Sequence, residues 1–373
     1  MDVIIPAHNL KTLSSSLATL SKIGKHLYIE FDPLAGLTFR TLNDAKNAFA
    51  QFHFDVGFFE RCSSPPGSRL RRRVREDSNG TAGRRRKRDK TQSQDDDDEK
   101  YLCRVLIRTV AAILRSRKGL QSVRIRSLGS TSMSQDDDDD ENHDEGNDLR
   151  MQLSFEFRIQ SEGIMRITHK VGVSEAQSVV AEASRTGCSE IVAAPRVLLK
   201  MIDPVQSTEV ALIISDVEKR VTATSFHYAD AAASKNLVLS ASAATVLKTE
   251  TSIDIDEFDD FVFSDGNGEE IPKGCDKEVA LVFSTKEAKA MIQFCAQANI
   301  DDELKAIVSF HYGGRPIIIE TEGDAFKAEL ILATVAHGLL NGVDLTSRGQ
   351  KKNNRSRTST GTGSLSGANR SSS

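Results

Sequence analysis

The stretch DVIIPAHNLKTLSSSLATLSKIGKHLYIEFDPLAGLTFRTLNDAKNAFAQFHF, residues 2–54, sets the pattern of the whole chain. Residues 2–5 are a short apolar strand. Residues 9–21 carry Leu13, Leu17 and Leu20 at helical spacing, which predicts an amphipathic helix. Three β-patterned runs follow, at 25–31, 36–42 and 48–54. Far downstream the order recurs: a strand at 189–194, a helix opening at Pro195, then β-runs at 209–215, 220–228 and 246–258. A recurrence this long points to a duplicated unit, and duplicated units build rings and arrays.

Each copy continues in the same way. Residues 102–107 read as strand, 109–116 as helix, and 121–128, 149–160 and 164–173 as strands. Their counterparts are the strand 278–283, the helix 285–298, and the strands 304–312, 316–321 and 326–334. GGRP at 313–316 and EGD at 322–324 suit hairpin connections. The chain therefore reads as an α+β protein of four β-α-β-β-β units, two to a domain. The expected division is a first domain at 1–173, a linker at 174–188, a second domain at 189–340 and a tail at 341–373.

A chain of 373 residues has room for two ordinary domains. Its net charge of −4 excludes a bulk basic nucleic-acid binder, but the charge is placed unevenly. The five cysteines are scattered, without C-x-x-C spacing, which argues against a disulfide framework and for a reducing compartment. No basic, apolar leader opens the sequence, and no apolar run approaches the roughly 20 residues of a membrane span. Residues 63–100, 129–148 and the tail hold little that packs and are expected to stay disordered. The first insert contains Arg84, Arg85, Arg86, Lys87 and Arg88, a nuclear-import pattern. The aspartate runs in both inserts lack the alternating ligands of a calcium loop.

Several separated blocks carry a family resemblance in the right order: SKIGKHLYIE (21–30), GLTFRTLNDAKNAFAQFHF (36–54), RVLLK (196–200), CAQAN (295–299), GRPIII (314–319) and LILATV (330–335). Together they resemble the subunit of the heterotrimeric nine-one-one DNA-damage checkpoint clamp that bears a phosphorylated tail. The resemblance implies the sliding-clamp fold, with antiparallel sheets as an outer wall and four helices on an inner face. It also implies a nuclear, non-catalytic subunit that takes no cofactor. Such a subunit joins two other clamp subunits around double-stranded DNA and is placed there by an ATP-dependent clamp loader. It serves checkpoint mediator and repair proteins as a platform. Tail candidates for phosphorylation are Ser356, Ser359 and Ser364.

A ring of this kind needs cations facing phosphate and no base readout. The candidates lie on or beside the helices: Lys11, Lys22, Arg108, Arg115, Arg117, Lys118, Arg196, Lys200, Lys286 and Lys289. Arg196 and Lys200 are four apart, and Lys286, Lys289 and Gln293 form one stripe. Clamp subunits join by pairing edge strands. The resemblance assigns the edges to 121–128 and 246–258, with Val123, Ile125, Ile253 and Ile255 as interface residues; ordinary core explains the same alternation.

Two other functions fit parts of the sequence. One is a replication-type homotrimeric clamp. The other is a metal-dependent 3′–5′ exonuclease using the acidic cluster at 254–260, where Asp254 and Asp256 would share one strand face. The eight histidines are spread singly, and neither H-E-x-x-H, a Cys/His cluster nor G-x-S-x-G is present. DGNG at 265–268 is a turn, since no G-K-[ST] follows it.

Overall fold

The computed structural model describes residues 1–63, 100–115, 119–128, 151–160, 164–227, 248–264, 275, 277–298 and 303–340. The expectations for both charged inserts, the tail, the import run, Arg117, Lys118 and the three tail serines lie outside these residues.

Four β-α-β-β-β units are present. The first comprises β1 (Asp2–Pro6), α1 (Leu10–Ile23), β2 (His26–Asp32), β3 (Gly36–Leu42) and β4 (Ala48–Phe54), with a short β5 (Arg61–Ser63) after it. The second has β6 (Tyr101–Leu106), α2 (Ile107–Ile113), β7 (Leu120–Leu128), β8 (Gln152–Gln160) and β9 (Ile164–Gly172), then β10 (Ser174–Glu175). The third has β11 (Ser189–Ala193), α3 (Pro195–Ile202), β12 (Glu209–Ser215), β13 (Arg220–Phe226) and β14 (Glu250–Asp254), then β15 (Asp260–Val262). The fourth has β16 (Glu278–Ser284), α4 (Thr285–Ala298), β17 (Ala306–Phe310), β18 (Ile317–Gly323) and β19 (Phe326–Leu332), with a terminal turn α5 (His337–Leu340).

Local chemistry explains the punctuation. Asp32 Oδ1 accepts from the backbone of Leu34 and Ala35 at 2.8 and 3.2 Å, turning the chain between β2 and β3. Gly36 follows at φ +115°, where a Cβ would lie 2.1 Å from the Phe54 carbonyl oxygen. Pro195 occupies the first turn of α3. Ser284 stands just before α4 and its hydroxyl bonds Glu287, the spacing of a capping box.

The strands form three antiparallel sheets. The order of the largest is β10-β6-β2-β3-β4-β19-β18-β17-β11-β15. It crosses from one half of the chain to the other where β4 pairs with β19, with Ala50 opposite Leu330. The flanking sheets run β5-β1-β7-β8-β9 and β14-β13-β12-β16. The helices form a single layer, in which α2 packs on α1, α1 on α4 and α4 on α3. Their apolar stripes face the sheets. Leu13, Leu17 and Leu20 of α1, Val110 of α2, Leu198 and Met201 of α3, and Met291 and Phe294 of α4 are all buried in one core. Phe52 of β4 meets Phe294 edge-to-face at 4.7 Å, so the core is continuous across the two halves. Each large buried side chain of this kind contributes about 1.5–3 kcal/mol.

Two expectations need correction. Residues 121–128 are not an edge: β7 pairs along one side with β1 and along the other with β8. Val123 and Ile125 are accordingly fully buried core. Alternation records that one face is buried; it is silent about whether neighbours flank both sides of the strand. The strands at the ends of this sheet are β9 and the three-residue β5. The expected strand at 246–258 is also shorter. It stops at Asp254, and Ile255–Glu257 form a 3-10 turn, with the Phe258 N–H closing on the Ile255 carbonyl at 3.0 Å.

Candidate nucleic-acid interface

The helix layer covers the sheets with its apolar stripes and leaves its polar faces outward. Its four helices contain seven cations, Lys11, Lys22, Arg108, Arg196, Lys200, Lys286 and Lys289, against one carboxylate, Glu287. Glu287 is buried, held by Ser284 at the start of α4. The outward side of the layer therefore carries an excess of cations, although the whole chain is acidic.

The individual positions differ. Lys11, Arg108, Lys200, Lys286 and Arg115, just past α2, are exposed and have no carboxylate partner among the described residues. Arg196 is also exposed. Arg108 and Arg115 line one shallow surface groove with Ser14, Ala18 and Ser21 of α1. Lys11 lines a neighbouring groove with Ser14, Ser15, Leu120 and Gln297. Lys22 is exposed but donates to Gln293 Oε1 at 3.0 Å, which ties α1 to α4. Ser15 makes a second such tie, to Gln297 at 3.1 Å. Lys289 departs furthest from expectation: its ammonium bonds the Asp203 carbonyl at 2.9 Å and the Asp203 carboxylate at 3.1 Å. It links α4 to the end of α3 instead of standing free on the stripe with Lys286.

Between α1 and α2 the outward residues are small: Ser14, Ala18, Ser21, Ala111 and Ala112. Arg108 and Arg115 border this stretch of small residues. The alternation of small and basic residues was visible in the sequence, and the pairing of the two helices was not. Cations spread over several helices in this way offer delocalised attraction to phosphate.

The sheet edges are the other open features. β14 lies at the end of its sheet, with Ile253 half-buried against the core and Glu250, Ser252 and Asp254 exposed. Ile255 sits in the 3-10 turn beyond it. β9 ends the five-stranded sheet. It carries the exposed Ile164 and Met165, at 62% and 47%, together with Arg166 and Lys170. Sequence reasoning missed β9 as an edge, although its mixed apolar and basic exposure was legible.

The acidic cluster does not assemble as a metal centre. Asp254 is bonded by Arg220 at 3.1 Å and Asp259 by Lys305 at 2.9 Å. The 3-10 turn moves Asp256 off the strand, so the two carboxylates do not share one strand face. No group of three His, Cys, Asp or Glu side chains able to hold a metal occurs among the described residues. No described helix is long and apolar enough to cross a membrane.

Comparison with known proteins bears on the whole assembly of features. The Rad9 family model matches residues 13–335. The fold is similar to that of PCNA from Thermococcus kodakaraensis, with a TM-score of 0.54 at 8% identity over 89% of this chain and 99% of that one. The structure of a PCNA2–PCNA3 complex from Sulfolobus tokodaii matches with a TM-score of 0.54 at 8% identity, over 90% of this chain and 99% of that one. Proliferating Cellular Nuclear Antigen from Entamoeba histolytica gives 0.52 at 9% identity, over 89% and 98%. At such identities the likeness concerns the fold, which is that of a sliding clamp.

Proposed function

The chain belongs to the Rad9 family and has the sliding-clamp fold, a DNA clamp of checkpoint type, and we propose that it works as one subunit of a heterotrimeric ring around duplex DNA at sites of damage. In this reading a separate ATP-driven loader places the ring, and the ring serves as a platform for checkpoint signalling and repair enzymes. The family and the fold are those of non-catalytic scaffolds, and the proposal extends this to the chain itself. The basic run Arg84–Arg88 supports nuclear action.

The observation that carries the reading is the helix layer, whose four helices hold seven cations and one carboxylate, the buried Glu287. A surface of this kind attracts phosphate without regard to sequence and lets the ring slide. Two of the sheet edges, β9 and β14, support closure through neighbours, because open backbone groups on an edge strand call for a partner strand. The edges differ in chemistry: β9 has Arg166 and Lys170 beside apolar Ile164 and Met165, and β14 has Glu250 and Asp254.

A homotrimeric replication-type clamp is the second reading, favoured by that same complementarity between basic and acidic edges. Light scattering of the purified chain separates the two. A monomer that forms a ternary ring only when mixed with two other clamp subunits supports the first reading; a trimer of the chain alone overturns it. The exonuclease reading predicts magnesium-dependent degradation lost in Asp254→Ala/Asp256→Ala. Degradation by a pure preparation that survives this change rejects that site.

A further inference from the structure

The five-stranded sheet β5-β1-β7-β8-β9 turns one face to the core and the other away from the helix layer. Val3, Val123, Ile125, Phe155 and Phe157 occupy the core face. By strand alternation the outward face carries six cations, Arg61, Arg124, Arg126, Arg158, Arg166 and Lys170, and two carboxylates, Asp2 and Glu156.

Register places these cations in three parallel rows. Arg126 and Lys170 flank Ser154 in one row, since Arg126 pairs with Ser154 and Ser154 with Lys170. Arg61 and Arg124 flank Ile4 in the next. Arg158 lies directly opposite Arg166 in the third. Both carboxylates are already engaged. Arg124 holds Asp2 through two bonds at 2.7 and 2.5 Å. Glu156 lies 3.4 Å from Arg126 and 3.8 Å from Arg166. Arg158 and Lys170 have no ion pair among the described residues. Like charges placed directly opposite on neighbouring strands repel, so Arg158, set against Arg166, is a surplus charge beside the Arg166–Glu156 pair.

We propose that this outward face docks an extended acidic peptide of a partner protein, with carboxylates at alternate positions. Successive rows are about 6.8 Å apart, the advance of two residues along a strand. An extended peptide laid along the strands presents every second side chain at that same interval, one carboxylate to each row. The face is rich in arginine, whose planar fork suits carboxylate oxygens. Among the described residues it carries no aromatic side chain on which a nucleobase could stack. Glu156 interrupts it, which suits discrete acidic side chains better than the continuous charge of a duplex. The proposal does not depend on where DNA lies on the helix layer.

The test uses the full chain and a fluorescein-labelled peptide of alternating Asp and Ser, read by anisotropy at low salt. Arg61→Glu/Arg158→Glu should weaken binding by about tenfold or more, and Arg61→Gln/Arg158→Gln should weaken it less. Circular dichroism melting checks that both variants fold. Lys11→Glu/Lys286→Glu should bind the peptide as the unaltered chain does. Unchanged peptide binding by the folded Arg61→Glu/Arg158→Glu variant overturns the proposal. So does a variant that keeps the peptide but loses duplex DNA, which would identify the face as a second nucleic-acid surface.

Discussion

Arg185, on the connector between the two halves, holds Glu320 of β18 in a two-pronged grip, Nη1 to Oε1 at 2.6 Å and Nη2 to Oε2 at 2.7 Å. The same guanidinium bonds Glu329 of β19. Beside this anchor, Val179, Ala181 and Ala183 of the connector pack on Phe49, Ile318 and Ile331, which are buried on the large sheet. At its other end Ser178 bonds Glu30 at 3.2 Å and receives Arg40 at 2.9 Å. The connector is thus a strap fixed at two points over the seam where β4 meets β19.

Removing the anchor should loosen the strap. Arg185→Ala leaves two largely buried carboxylates with less compensation, a loss of about 1–3 kcal/mol. Urea unfolding followed by circular dichroism measures it, and limited proteolysis should cut the variant first within 176–187. The pH dependence has a definite sign. Burial pushes the Glu320 carboxyl up, and the hydrogen bonds and charge of Arg185, with Lys327, more than reverse this, so its pKa lies below the ordinary value. A carboxyl depressed on folding stabilises fully above its unfolded pKa and loses that contribution as pH falls through the folded value. The stability gap between the unaltered chain and Glu320→Gln should therefore be constant near neutrality and shrink below about pH 4.

The cysteines should divide into two classes. Cys103, Cys275 and Cys295 are buried, and Cys62 and Cys188 are half-exposed. Burial pushes the Cys295 thiol up to about 12 and the Cys103 thiol up to about 11. Iodoacetamide at pH 8 should label only Cys62 and Cys188 in the native protein, and all five in urea, as read by peptide mass spectrometry.

On the edge strand β9, Ile164→Asp/Met165→Asp should leave the isolated chain nearly as stable, within about 0.5 kcal/mol for each exposed site. It should abolish ring formation with other clamp subunits, which size-exclusion chromatography reads directly. Val123→Asp should instead unfold the first half, because Val123 is fully buried on an interior strand.

That contrast shows what the sequence made legible. Repetition and periodicity gave all four units, with β3, β4, β12 and α4 at the expected residues. They also placed the cations on helices, because Leu13, Leu17 and Val110 mark the opposite faces. Edge identity was hidden, since it depends on which strand becomes the neighbour of β7: β1 is more than a hundred residues away. The pairing of Lys289 with Asp203 was hidden for the same reason, as it joins two helices from different units. The 3-10 turn at 255–257 broke an alternation that composition alone carried through to Phe258. Short-range patterns record burial; partners distant in sequence decide edges, ion pairs and the faces left open.

The central claim is that the cationic helix layer faces DNA inside a closed ring. The direct measurement is retention of the assembled, loader-placed ring on closed circular DNA as salt is raised, comparing the unaltered chain with Lys11→Glu/Arg108→Glu/Lys200→Glu/Lys286→Glu. The account predicts that the reversed ring assembles normally, releases or fails to load at salt where the unaltered ring persists, and shows a shallower salt dependence by about 0.9 for each lost phosphate contact. A reversed ring that loads and persists like the unaltered one, with the same salt slope, would contradict it.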